Sequence, residues 1–237
     1  MSDTDRTNGA GASGSAQSDE PGRARAARRV VAELERMIVT GELLPGQAIR
    51  QELMAERLGV SRLPIREGLR QLTAQGLVAH QHNAGYTVAR LDQTEFDQIY
   101  LMRGVLEREV LSRLPLFGPA DLAEVRRLGE QVVSAAERGD ILEMRLRNQD
   151  FHFAMFERSR LHLVVSELRR LWTLAMPYHA AYLYDPDGRR RVCAEHDSMI
   201  EALAAGDNAH LVELMDEHRH GGEANTGMIL GVRHENR

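Results

Sequence analysis

Residues 43–90 constrain what this chain can fold into more than any other stretch. The run LLPGQAIRQELMAERLGVSRLPIREGLRQLTAQGLVAHQHNAGYTVARL reads as two short helices joined by a tight turn, then a strand–turn–strand unit. Gln51 to Leu58 forms the first helix and breaks at Gly59; the second runs from Arg62 to about Gln75 and ends at Gly76. Ser61 stands at the N-cap of the second helix, and Pro64 falls in its first turn, where a missing N–H is harmless. Leu77 to His80 and Tyr86 to Ala89 read as strands around His82-Asn83-Ala84-Gly85, a tight hairpin connection. The pattern predicts a helix-turn-helix followed by a wing.

At 100° per residue, Ile65, Leu69 and Leu72 fall within about 60° of one another and form a stripe to be buried. Arg62, Arg66 and Arg70 cluster about a quarter-turn away. In a helix-turn-helix the N-terminal part of the second helix reaches base edges, and arginine reads guanine O6 and N7. Arg62 and Arg66 are therefore assigned to bases or nearby phosphates, Ser61 to a phosphate and Arg70 to a lesser role. His82 and Asn83, at the wing tip, are placed to enter the neighbouring minor groove. The competing reading is a solvated face whose arginines pair with local carboxylates such as Glu67.

The formal charge of −5 is unevenly spread. Residues 23–90 hold 11 Arg against 6 Glu, whereas residues 91–237 hold 18 Arg against 25 acids. A positive segment on an acidic body suits a domain that meets phosphate. All 30 basic residues counted as Lys or Arg are Arg. Without lysine there is no pyridoxal-phosphate Schiff base, Walker phosphate loop or kinase strand lysine, and no fused aminotransferase-type domain. One cysteine, Cys193, precludes an internal disulfide, which fits a reducing compartment. No apolar run approaches roughly 18 residues, so no membrane span is expected. The N-terminal stretch has no apolar segment of a secretory signal, and a cytoplasmic protein is expected.

Residues 1–22, rich in Gly, Ser, Ala and Asp, read as a disordered tail. Arg23 to Thr40 carries Val31, Leu34 and Ile38 at helical spacing before Gly41. Residues 23–90 thus make a DNA-binding domain. From Asp92 onward strand signals vanish. Helices are predicted at Gln93–Arg113, Pro119–Arg138, Ile141–Glu157, Leu161–Tyr184, Gly188–Ala204 and Ala209–Gly221, punctuated by Pro115, Pro119, Gly139-Asp140, Asp185-Pro186-Asp187 and Gly206-Asp207. Short breaks between helices of this length describe an antiparallel all-helical bundle over residues 93–222, with 223–237 as a loosely ordered tail. The fold class is mainly α: an N-terminal winged helix-turn-helix plus a C-terminal bundle.

The N-terminal stretch resembles the winged-helix domain of the GntR family of bacterial transcription regulators. The matching residues are Leu44-Pro45-Gly46-Gln47, Met54-Ala55-Glu56, Leu58-Gly59-Val60-Ser61-Arg62, Pro64-Ile65-Arg66-Glu67, Leu69, Leu72, Gly76-Leu77-Val78 and Asn83 to Val88. The resemblance, over about 65 residues, puts the family's base- and phosphate-contacting positions on Ser61, Arg62, Arg66, His82 and Asn83. Gly68 departs from the family's more usual alanine, a small cost in helix propensity.

Residues 93–222 are similar, more loosely, to the all-helical (FCD-type) effector domain of the FadR-like branch. Arg103-Gly104-Val105-Leu106-Glu107 looks like its first-helix signature, and Asn148 to His152, His196 and His218 look like its metal site. Asn148 and His152 are four apart on one helix and share a face. Three imidazoles and an oxygen suit Zn²⁺, Mn²⁺ or Ni²⁺ with open positions for water or a ligand carboxylate. Where many members of the branch carry Asp, this chain has Asn148, which can ligate but brings no charge. Asp150 lies about 200° around the helix and cannot substitute. A buried histidine held by hydrogen bonds alone is the rival reading. Arg103 either binds an effector carboxylate or forms a structural salt bridge with Glu107 one turn on. Met155, Phe156, Trp172, Met176 and Tyr178 read as core. The resemblance implies a homodimeric, metabolite-responsive regulator, more often a repressor, on a pseudo-palindromic double-stranded DNA operator, with a small organic acid as effector near the metal. A metal-sensing regulator and a metal-dependent enzyme tethered to DNA are the alternatives. No His-Glu-x-x-His motif supports the enzyme.

Overall fold

The first helix, α1 (Glu20–Thr40), turns Val30, Val31, Leu34, Met37 and Ile38 onto one stripe, and all five are buried. The chain is described here by a computed structural model covering residues 20–82, 85–178 and 181–232. Glu20-Pro21-Gly22, expected to belong to the tail, form the first turn of α1. Proline is tolerated there because its nitrogen would have no intrahelical partner. Residues 1–19 of the expected tail lie outside the described residues.

Next come α2 (Gln51–Leu58) and α3 (Arg62–Ala74). Gly59 closes α2 in the left-handed region at φ +63°, its N–H bonding back to the helix, which turns the chain sharply into α3. Ser61 holds the N-cap position in extended backbone, but its side chain makes no capping hydrogen bond. The stripe of α3 is buried as its period demands: Ile65, Leu69 and Leu72 are fully enclosed against α1.

The wing is a three-stranded antiparallel sheet in the order β1 (Ala48–Ile49), β3 (Gly85–Val88), β2 (Val78–Gln81). β2 pairs Val78 with Val88 and His80 with Tyr86. The flanking strands sit within one residue of their expected positions. The two-residue β1 was not expected, because it is too short to show alternation and exists through its pairing to β3. Gly46 N–H donates to Val88 O at 3.0 Å and Val88 N–H to Gln47 O at 2.9 Å, extending that edge.

The bundle comprises α4 (Gln93–Ser112), α5 (Pro119–Glu137), α6 (Ile141–Phe156), α7 (His162–Ala175), α8 (Pro186–Ala205) and α9 (Asn208–Val232). Asp92 starts α4 with a reciprocal capping box to Glu95, and Asp140 caps α6 through Glu143 N–H. α4 packs on α7 and α9, α5 on α6 and α8, and α8 on α9. They enclose a core that includes Phe151, Phe156, Trp172, Met144 and Met199. Two boundaries differ from expectation. A single helix over Leu161–Tyr184 is instead α7 followed by 3-10 turns at Met176–Tyr178 and Ala181–Tyr184. Pro177 cannot donate to the ladder and ends it. α9 continues past residue 222 to Val232, since Gly221-Gly222 weaken a helix without blocking it.

Gly68 has a role beyond propensity. A Cβ there would stand 2.8 Å from Val30 Cγ1, on a β-branched side chain that is itself fully buried. α1 and α3 approach closely because position 68 has no side chain. Gly68→Ala gains about 1 kcal/mol in helix propensity and loses about 1–3 kcal/mol to overpacking. Denaturant unfolding should show a net loss of about 1 kcal/mol, and the same Gly68→Ala change should be stabilising when it is introduced into a Val30→Ala background.

Candidate nucleic-acid interface and metal centre

Because α3 buries Ile65, Leu69 and Leu72, its adjoining edge faces outward, and Arg62, Arg66 and Arg70 are all exposed there. Arg62 Nη1 lies 3.3 Å from Glu52 Oε1 of α2, a pair so open to solvent that it adds little to stability. No hydrogen bond or ion pair engages Arg66 or Arg70 among the described residues. Glu67, the partner considered from the sequence, takes neither. His82 is exposed at the end of β2, whereas Asn83 lies outside the described residues. Ser61, Arg62 and Arg66 thus share the N-terminal end of an outward-facing helix edge.

In the bundle, α6, α8 and α9 bring together three histidines far apart in sequence. A nitrogen of each of His152, His196 and His218 lies within 4.8 Å of the others, and all three residues are buried. His152 Nε2 and His218 Nε2 are 3.2 Å apart. His218 Nδ1 lies 2.6 Å from Glu195 Oε2. His196 stacks on Phe151 with ring centroids 4.1 Å apart, and neither of its nitrogens has a hydrogen-bond partner. The Asn148 oxygen, one turn before His152 on α6, is likewise buried without a partner. Orphaned buried acceptors are costly. A metal ion is the partner that three such imidazoles can share, so the cluster fits one, and the orphaned Asn148 oxygen one turn from His152 is the candidate fourth donor. Asp150 is exposed and pairs with Arg147, which excludes it from the cluster.

Burial holds the His152 imidazole well below the usual histidine range, reinforced by His218, His196 and Arg103. His196 is lowered in the same way, by burial and then by His218. Both rings are therefore neutral and keep a lone pair for ligation.

Beside the cluster, Glu107 is fully buried and accepts hydrogen bonds from three elements. Arg103 Nε donates at 3.0 Å, Trp172 Nε1 at 2.8 Å and Arg219 Nη1 at 3.1 Å. Arg103 makes the salt bridge with Glu107 that is one of its two expected roles. Its guanidinium also lies 4.1 Å from the Trp172 ring centroid, and Trp172 in turn lies 5.2 Å from His152. Trp172, Met155, Phe156 and Met176 are core residues as expected.

Sequence reasoning missed Arg145 and the hydroxyl of Tyr178 as groups that join the two domains. Arg145, buried on α6, donates from Nη2 to Val39 O at the end of α1 at 3.1 Å, and also to Met176 O. Leu91 N–H in the linker donates to the Tyr178 hydroxyl at 2.8 Å. A crevice of about 340 Å³ beside this junction is lined by Glu35, Gln75, Leu77, Arg169, Arg170 and Thr173. An arginine on the same face as Asn148 and His152, seven residues before the histidine, was the available signal.

A winged helix with an outward basic edge, fastened to a helical bundle that encloses a histidine cluster, is the architecture of a DNA-binding regulator. Comparison with known proteins agrees. Residues 26–88 match the model of the bacterial regulatory proteins, gntR family, and residues 98–221 match the FCD domain. The chain belongs to the GntR family of transcription regulators, in the FadR-like group that carries an FCD domain. Among its relatives is the HTH-type transcriptional regulator McbR of Escherichia coli (strain K12), 28% identical over 179 residues covering 74% of this chain and 80% of McbR. The HTH-type transcriptional repressor GlaR of the same strain is 29% identical over 199 residues, 78% of this chain and 88% of GlaR. The solved structure of E. coli McbR superposes with a TM-score of 0.78 at 26% identity, covering 88% of this chain and 98% of McbR. The family is one of regulators, and the chain is not an enzyme. Among the described residues, no helix is long and apolar enough to cross a membrane.

The two depressed histidines make a sign-specific expectation for metal-free protein. As pH falls below about 6.5, the unfolded chain takes up protons that the folded one refuses, so stability drops. Denaturant unfolding should show lower stability at pH 5.5 than at pH 7.5. Each histidine contributes a slope of up to about 1.4 kcal/mol per pH unit below the unfolded value. His196→Phe should flatten that slope.

Proposed function

We propose that the chain is a metabolite-responsive transcription regulator, acting as a repressor, that binds a pseudo-palindromic operator as a homodimer. The observation that carries this reading is the geometry of α3: its apolar stripe is fully enclosed while Arg62, Arg66 and Arg70 stand in solvent. The helix enters the major groove, Arg62 and Arg66 meet bases or adjacent phosphates, Ser61 a phosphate, and Arg70 contributes less. His82 and Asn83 reach the minor groove. The repressor named among the relatives supports the sense of regulation.

In the bundle, Asn148, His152, His196 and His218 hold a divalent transition metal, Zn²⁺, Mn²⁺ or Ni²⁺, with open positions for a small organic acid. The metal supplies a Lewis-acidic anchor for a carboxylate. The positive charge of Arg103 favours an anion nearby, although its Nε is committed to Glu107. Effector binding shifts the DNA-binding heads through α6, whose Arg145 touches α1 directly, and through the Leu91–Tyr178 hydrogen bond. A coupling of about 1–3 kcal/mol changes operator occupancy about 5–150-fold.

The burial of all three imidazoles favours a second reading, in which the ion itself is the signal. Operator binding that responds to metal without any added acid selects that reading.

Arg66→Ala should weaken binding to an operator fragment about 5–150-fold in fluorescence anisotropy while leaving the fold and assembly state unchanged. Unaltered affinity removes Arg66 from the interface. Elemental analysis should find about one transition-metal ion per chain in the wild type. His196→Ala should carry none, and a wild type without metal defeats the four-ligand site.

A further inference from the structure

The proposed donor set contains no negative charge: three imidazoles and one amide. Until an acid binds, a dication enclosed by such donors needs compensation from outside the first layer of ligands, because an unbalanced buried charge is heavily penalised. Arg103 aggravates the deficit, since its cation already bears on His152. Among the described residues, the carboxylate in hydrogen-bond contact with the cluster is Glu195. Its Oε2 lies 2.6 Å from His218 Nδ1.

We propose that Glu195 is the positioning residue of the metal centre, fixing His218 with Nε2 toward the ion and supplying the negative charge its ligands lack. This deepens the metal-binding reading above and rests on it. A carboxylate only accepts, so the proton on that edge of the ring belongs to Nδ1, and Nε2 is the ligating atom. The geometry agrees, because His218 Nε2 is the nitrogen turned toward His152, at 3.2 Å. A hydrogen bond from the far edge of a ligating imidazole to a carboxylate also makes that imidazole a stronger donor.

Glu195 is itself held in place. Arg191, one turn earlier on α8, brings Nε to 3.4 Å from the other carboxylate oxygen. That guanidinium lies against α9 at Gly221, where a Cβ would stand 2.9 Å from Arg191 Nη2. Arg191, Glu195 and His218 therefore form a chain from α8 to α9. Glu195 and His196 are consecutive, so neighbouring positions of one helix deliver the orienting carboxylate and a ligand.

The test uses the full metal-stripped chain and Zn²⁺ as probe, with affinity read by competition against a chromogenic chelator. Glu195→Gln keeps an oxygen that can accept from Nδ1 but removes the charge, and should weaken zinc binding about 10–100-fold. Circular dichroism should be unchanged. In the metal-free protein, nitrogen-15 spectra should show His218 protonated at Nδ1, and Glu195→Ala should disturb that preference. Equal zinc affinity in wild type and Glu195→Gln, or a His218 protonated only at Nε2, overturns the proposal for Glu195. A wild type that binds no zinc overturns the metal reading itself.

Discussion

The bundle is organised around the Glu107 carboxylate, a charge removed from water and satisfied by donors from three helices. An isolated buried carboxylate is prohibitively costly, and only full hydrogen bonding makes it tolerable. Arg103 from its own helix, Trp172 from α7 and Arg219 from α9 meet that demand. The positions of those helices are thereby coupled to one group. Gly104 takes part by omission: a Cβ there would stand 2.9 Å from Arg219 Nη2, so the guanidinium can lie against α4. Trp172, pinned through its indole nitrogen, then presents its ring toward His152. The histidine cluster is thus walled by a network whose own geometry admits little slack.

From that wall a continuous path leads to the DNA-binding domain. Arg145, Asn148 and His152 follow one face of α6, so a displacement of the helix at the cluster also moves the guanidinium that touches α1. The far end of α7 contributes as well, because the 3-10 turn after Ala175 carries both Met176 O and the Tyr178 hydroxyl. Packed helices with polar ties of this kind transmit rigid-body shifts better than a bare linker does.

Much of the fold was legible because its signals are local. Gly59, Ser61 and Pro64 mark the ends of α2 and α3 within a few residues of where they act, and a 3.6-residue period identifies the enclosed stripe of α3. The histidine cluster was legible through resemblance alone, since nothing in the spacing of His152, His196 and His218 brings three separate helices together. What escaped is non-local or easily overruled. β1 exists through pairing with a distant strand. Arg145 and Tyr178 are recognisable only once Val39 and Leu91 are seen beside them. Glu195 sits next to a candidate ligand in sequence yet serves a different one in space. Pro177 is a readable stop inside the Leu161–Tyr184 run, one that the apolar pattern on either side masks. Helix propensity says little about Gly68, because the nearness of Val30 decides it.

The Arg145 tie between the domains terminates on peptide oxygens. Both acceptors of the Arg145 guanidinium, at Val39 and Met176, are supplied by the backbone and persist whatever side chains those positions carry. The DNA-binding domain can therefore change its side chain at position 39 without severing the Arg145 tie to the bundle. On the bundle side the polar connection needs the Arg145 guanidinium and the Tyr178 hydroxyl, two side chains that both meet backbone groups.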